Sequence, residues 1–176
     1  MIREQRADDA VAVRRVIVEA FGPEEGEKVA DMAGALTASP NHRLGLVVEE
    51  DEQVVGHVQL SRSWVDAPRR LVEVLVLSPL SVLPGYQGKG IGKQLVAGAL
   101  EGAGKAGAPM LFLEGSPTYY SRLGFEPGRE HGFTPPSVRI PDAAFQVVLL
   151  PGHEPWMTGA LVYNEVFWAY DAVGLR

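Results

Sequence analysis

The sequence has 176 residues, 46% of them hydrophobic, and its 16 Lys and Arg are outnumbered by 22 Asp and Glu for a formal net charge of −6. That length predicts one domain over 1–176, the apolar share supports a core, and no stretch offers the ~18 consecutive apolar residues of a membrane span. The acidity argues against broad nucleic-acid binding, which sets Lys and Arg against phosphate, and the absence of cysteine excludes disulfides, thiolate–zinc sites and a cysteine nucleophile.

The opening "MIREQRADDA" is charged from its third residue and lacks the apolar h-region of a signal peptide, so a cytoplasmic protein is expected. Its first five residues read as a short strand. Asp8 or Asp9 is placed to N-cap the amphipathic run "AVAVRRVIVEAF", which Gly22 and Pro23 end. "EGEKVADMAGALTAS" reads as a second helix, stopped by Pro40. "RLGLVVEE" and "QVVGHVQLSRSWV", joined by Asp51 and Glu52, read as a hairpin. "RRLVEVLVLSPLSVL" is apolar and β-branched, a buried central strand. Pro79 within it cannot donate to a ladder, which predicts a bulge there. After Pro84 a glycine loop leads into the helix "IGKQLVAGALEGA", with Ile91, Leu95, Ala99 and Leu100 on one face. "PMLFLEG" reads as a short buried strand and "PTYYSRLGF" as one or two helical turns closed by Gly124. "HGFTPPSVRIPD" reads as a Pro-rich loop. "AAFQVVLLP" and "GALVYN" read as closing strands around the polar loop "GHEPWMT". This order predicts an α/β or α+β fold, a mixed sheet with helices on its faces.

The chemistry concentrates in "LPGYQGKGIGKQL", Leu83 to Leu95. A helix N-terminus exposes unpaired N–H groups and about half a positive charge, and phosphate binds there readily. Gly88, Gly90 and Gly92 remove Cβ atoms that would hold a phosphate off and permit positive φ. Lys89 and Lys93 add charge, and the Gln87 amide can bond to loop or ligand. Two phosphate signatures fail nonetheless. A P-loop would need Gly at Gln87 and Ser or Thr at Gln94, and the dinucleotide fingerprint G-x-G-x-x-G is here G-x-G-x-G. The literal G-x-G-x-x-G at Gly102, Gly104 and Gly107 follows a helix and precedes a strand, the wrong order for pyrophosphate. His42, His57, His131 and His153 show no metal-ligand spacing, and "GSP" at Gly115–Pro117 lacks the nucleophile elbow of a serine hydrolase.

From Ser78 to Phe125 the chain carries "SPLSVLPGYQGKGIGKQL", then a strand, then "EGSPTYYSRLGF". In this it resembles the GNAT superfamily of acetyl-CoA-dependent N-acetyltransferases. The "HGF", Pro-rich loop, "AF" and two strands that follow resemble a bacterial subgroup, and the likeness spans most of residues 1–165. The resemblance implies an acyl-CoA N-acyltransferase fold with a bulged central strand. It implies that Gln87, Gly88, Lys89, Gly90, Ile91, Gly92 and Lys93 hold the coenzyme A pyrophosphate, largely through backbone N–H groups. Val82 and Leu83 would bond the pantetheine like an added strand, and the N–H of Leu80 or Ser81 would polarise the thioester carbonyl. Ser116 and Tyr119 would also face the coenzyme. Tyr120, four residues before Gly124, matches the family's general acid, a phenol able to protonate the departing thiolate.

Without cysteine, direct attack in a ternary complex is the economical route. A free alkyl amine has a pKa near ~10 and must first lose a proton, so a base or water chain is needed. Glu114, at the end of its strand, is the first candidate and Glu73 the second. Trp156 is a candidate wall of the acceptor pocket, whereas Trp64 and Trp168 read as core or flank. The acceptor is expected to be a small-molecule or peptide amine, with net charge leaning toward a cationic one, bound by a monomer or homodimer with no nucleic-acid or membrane partner. Two rival readings stand beside this one. One is a non-catalytic acyl-CoA-binding or sensor module on the same fold. The other is a nucleotide-binding α/β domain, which the failed phosphate signatures oppose.

Overall fold

A computed structural model describes residues 1–174. Their contacts gather them into two units that interleave along the chain. Unit 1 takes Met1–Ser61 and Leu77–Gly102; unit 2 takes Arg62–Val76 and Ala103 onward.

Unit 1 opens with β1 (Ile2–Glu4) and the long helix α1 (Ala10–Ala38). The two expected helices are present as two arms of α1 that meet at Gly22, whose φ of 86° and ψ of −179° no α-helix contains. Pro23 begins the second arm, where a missing N–H does least harm. The expected N-cap is corrected by the structure: Asp9 precedes α1 with helical φ/ψ and makes no capping bond. Its carboxylate accepts two bonds from the Arg3 guanidinium, at 2.8 and 2.9 Å, and the Arg6 N–H at 2.6 Å. A bidentate charged pair outcompetes a cap worth ~1 kcal/mol. Chiefly through the Arg3 bonds, it holds the Asp9 carboxyl down at about 2.

The hairpin forms as read, from β2 (His42–Glu50) and β3 (Gln53–Asp66), with Glu50 opposite Gln53. Asp51 and Glu52 both take left-handed φ, 49° and 59°, the backbone twist that a two-residue hairpin turn demands. β4 (Leu71–Val82) is the buried strand expected, with Val72, Val74, Leu75, Val76 and Leu77 inside and a cis Ser78–Pro79 bond in its second half. Within unit 1 the strands lie in the order β1, β2, β3, β4. Helix α2 (Ile91–Lys105) turns Ile91, Leu95, Val96 and Ala99 inward. Val96 takes the buried place expected for Leu100, which is only partly covered. Each fully buried branched side chain contributes about 1.5–3 kcal/mol, and Leu95 and Val96 so fix the direction of the helix N-terminus.

Unit 2 contains β5 (Met110–Glu114), the short helix α3 (Pro117–Ser121), β6 (Glu126–Pro127), β7 (Phe133–Thr134), β8 (Phe145–Leu149), β9 (Gly159–Val162) and α4 (Glu165–Ala169). β5 runs parallel to β4, with Leu75 opposite Leu111 and Val76 opposite Phe112, and antiparallel to β8. β9 pairs with β3 antiparallel and with β7 in parallel. These parallel pairs make the sheet mixed, as expected, while most of its ladders are antiparallel. The core is aromatic: Phe112 meets Phe133 edge-on at 4.9 Å and stacks on Phe145 at 5.7 Å.

Two readings are corrected in this unit. The Pro-rich stretch is not all loop, because Phe133 and Thr134 pair with Gly159 and Ala160. The closing strands are followed by α4, whose signal was present but unread. Asn164 precedes Glu165, and its side chain accepts the Val166 N–H at 3.1 Å as an N-cap.

Candidate active site

In unit 1, β4 passes through Leu83 into a single 3-10 turn, Pro84–Tyr86, and then into the glycine loop. Leu83 donates its N–H to the Val55 carbonyl at 2.8 Å, and its own carbonyl accepts the Tyr86 N–H at 2.8 Å. The backbone donor expected for pantetheine at Leu83 is therefore already engaged within the chain. Gln87 Nε2 donates to the Val82 carbonyl at 3.0 Å, folding the loop back on its strand. Of the remaining strand residues expected at the coenzyme, Leu80 is half-buried, and Ser81 is buried with its Oγ lacking a hydrogen-bond partner among the described residues.

Gly88 and Gly90 have φ of 75° and 84°, and nothing lies within 4 Å of where a Cβ would stand at either. Side chains are strained in that conformation by roughly 1–2 kcal/mol, while the space beside the backbone stays open. The first hydrogen bond of α2 runs from the Gln94 N–H to the Gly90 carbonyl at 3.0 Å. Ile91, Gly92 and Lys93 therefore carry the unpaired N–H groups of a helix N-terminus. Lys89 and Lys93 are exposed beside them. Lys89 Nζ sits 5.1 Å from the Tyr86 ring centre, and Gln53 Nε2 donates to the Tyr86 hydroxyl at 2.9 Å. Backbone donors, the helix dipole and two ammonium groups together make an anion cradle.

In unit 2, β5 ends at Glu114, and the chain turns through Gly115 into α3. Gly115 donates to the Ala144 carbonyl at 2.9 Å and accepts from Gln146 Nε2 at 3.1 Å, which pins the turn. Ser116 N-caps α3 through its hydroxyl, which accepts the Tyr119 N–H at 3.3 Å, and Pro117 occupies the first turn. Tyr120 is half-buried and Tyr119 is exposed, their rings edge to face at 4.9 Å. A Cβ at residue 115 would stand 2.7 Å from Tyr120 Cε2, so only glycine lets the ring lie across the turn. Gly124, with φ of 99°, closes the segment as expected.

Burial, with a lesser push from Tyr119, raises the Tyr120 phenol well above the ordinary tyrosine value. It stays protonated at any working pH, the state a proton donor needs. Its hydroxyl has no hydrogen-bond partner among the described residues.

Glu114 is held at both oxygens. The Tyr163 hydroxyl donates to Oε2 at 2.8 Å, and the Gly174 N–H donates to Oε1 at 3.1 Å. Burial raises the carboxyl pKa, and those two bonds offset it in part. Tyr163 is buried, and its own ionisation is pushed up by burial and by the neighbouring carboxylate.

Glu114, Ser116, Tyr119 and Tyr120 are thus brought together around one turn. Glu73 lies elsewhere, exposed on β4 with Arg62 Nη1 at 3.0 Å. Trp156 lies in the β8–β9 loop, which leaves from the Met110 end of β5, where the Leu150 N–H bonds the Pro109 carbonyl. It is therefore at the opposite end of that strand from Glu114. Sequence reasoning missed Tyr163: it is 49 residues from its partner, and no local pattern joins them.

Residues 1–128 match the family model described as "Acetyltransferase (GNAT) domain". The N-acetyltransferase YjhQ of Escherichia coli K12 is 32% identical over 87% of this chain and 92% of its own length. The N-acetyltransferase YhbS of the same strain is 31% identical over 95% and 98%. The crystal structure of E. coli YhbS in complex with CoA superposes with a TM-score of 0.84 at 29% identity, covering 95% of this chain and 91% of that one. A GNAT family acetyltransferase from Brucella melitensis in complex with acetyl-CoA gives 0.76 at 32% identity, covering 95% and 97%.

Proposed function

The chain belongs to the GNAT acetyltransferase family and is an N-acetyltransferase, and from that premise we propose that it transfers acetyl from acetyl-CoA directly to a primary amine on a small molecule or peptide. The observation that carries this reading is the cradle of unit 1, where three unpaired N–H groups stand behind two left-handed glycines. These residues fit a coenzyme A pyrophosphate. The donors are main-chain and unengaged, the space beside Gly88 and Gly90 is open, and Lys89 and Lys93 supply charge without a carboxylate partner among the described residues. The complexes of similar proteins with CoA and acetyl-CoA support the same ligand.

In the transfer the amine nitrogen bonds the acetyl carbon and the C–S bond breaks. Tyr120 gives its phenolic proton to the leaving sulfur, and burial keeps that proton on the phenol until the thiolate departs. Glu114, with its pKa raised, takes one proton from the ammonium before attack, directly or through water, and the second proton that the nitrogen sheds on becoming an amide restores the Tyr120 phenol. Backbone donors at Leu80 or Ser81 meet the charge that develops on the carbonyl oxygen.

The test follows thiol release from acetyl-CoA across a panel of amines. Release that depends on the amine and falls sharply in Tyr120→Phe is the expected result. Tight acetyl-CoA binding with no release from any amine would point instead to a binding or sensor module. ATP or NAD binding more tightly than acetyl-CoA would overturn the reading.

A further inference from the structure

Unit 2 carries a group of unsatisfied donors well away from Glu114. Arg69 and Arg70, in the turn between β3 and β4, place their guanidinium carbons 5.1 and 5.2 Å from the centre of the Trp156 ring. Neither has a hydrogen bond or an ion pair with a carboxylate among the described residues. Arg3, Arg14, Arg62 and Arg129 each reach a carboxylate, and Arg15, Arg43 and Arg139 donate to amide or carbonyl oxygens, whereas Arg69 and Arg70 converge on one aromatic ring. The Trp156 Nε1–H is buried and also lacks an acceptor, so stacking rather than a hydrogen bond accompanies the ring's position. Guanidinium groups held by an aromatic face keep their edge N–H donors free and orient them as a fork.

We propose that Arg69, Arg70 and Trp156 form a binding site for a small oxyanion, a carboxylate or phosphate group. Its chemistry is bidentate capture by two unneutralised guanidinium groups, the geometry that planar oxyanions favour. It is separate from Glu114, the candidate base. With Leu75 opposite Leu111 on parallel strands, Arg70 lies before the start of β5 and Glu114 at its end. That register separates them by roughly 26 Å along the strand direction. The inference therefore stands whether or not Tyr120 and Glu114 act as proposed.

The test titrates the full chain with inorganic phosphate, with acetate and with chloride at constant ionic strength. It reads the tryptophan fluorescence that Trp156→Phe removes. A saturable response to phosphate or acetate but not chloride is expected, and the tighter of the two identifies the group bound. Arg69→Gln/Arg70→Gln should weaken that response at least about tenfold, with melting temperature and acetyl-CoA affinity unchanged. No saturable response to either oxyanion, an equal response to chloride, or a response untouched by the double substitution would overturn the site.

Discussion

The glycine loop of unit 1 presents main chain, whereas the Glu114–Tyr120 segment of unit 2 presents side chains. In the loop, the proposed recognition rests on N–H groups left over by helix geometry and on two residues held at φ of 75° and 84°. Side-chain identity matters there mainly through its absence. In the turn, what counts is a carboxyl held by Tyr163 and Gly174 and a phenol lying across Gly115. The carboxyl acquires its setting from partners 49 and 60 residues away, whereas the phenol is set by Gly115, Tyr119 and Phe125 close by in the chain. The contrast is that a backbone site is written in local punctuation, while a side-chain site depends on what the fold brings to it.

Four substitutions would break or sharpen this contrast. The largest effect is expected from Gly90→Asp, which forces a side chain into left-handed backbone and sets a negative charge at a helix N-terminus. Acetyl-CoA affinity should fall about a hundredfold or more by calorimetry, with the fold retained by circular dichroism. Normal binding in this variant would remove the cradle from the mechanism.

Tyr120→Phe should do the opposite, lowering kcat about a hundredfold while acetyl-CoA affinity stays within about threefold. Unchanged turnover across pH would show that the phenol is packing alone.

Glu114→Gln is expected to lower kcat about tenfold, since water can replace part of a base's function, and to leave a second signature in stability. The Glu114 carboxyl is raised from its ordinary value of 4.5 by burial, so the folded chain holds its proton more tightly than the unfolded one. Its contribution to stability is fullest below that ordinary value and declines as pH climbs through the raised one. Urea midpoints measured between pH 4 and 7 should therefore shift in favour of the variant as pH rises. A parallel pair of profiles would contradict the raised carboxyl.

The smallest effect is expected from Gln87→Ala, which removes only the bond to the Val82 carbonyl. A net hydrogen bond is worth about 1 kcal/mol, so acetyl-CoA affinity should fall about fivefold with kcat unchanged.

How much was legible follows the same division. The hairpin, the apolar central strand, the helix after the loop and the closing strands were readable because period, turn residues and glycine placement are local signals. The cap at Asp9 was misread because Arg3, six residues away on a neighbouring strand, competes for the same carboxylate. β7 was hidden because two residues among prolines carry no pattern, and only β9 makes them a strand. Of the expected coenzyme contacts, Leu83 was the one whose backbone donor the hairpin strand had already engaged.

By itself the sequence determined the main elements, the glycine loop before its helix and the tyrosine positioned before Gly124, since all rest on backbone preferences within a few residues. Tertiary structure alone decided that Glu114 is clamped by Tyr163 and Gly174, that Glu73 faces solvent with Arg62, and that two arginines share Trp156. The physical reason is range. Dihedral preference and periodicity act between neighbours in the chain, but burial, charge pairing and stacking act between neighbours in space, and it is these that set what a side chain can do.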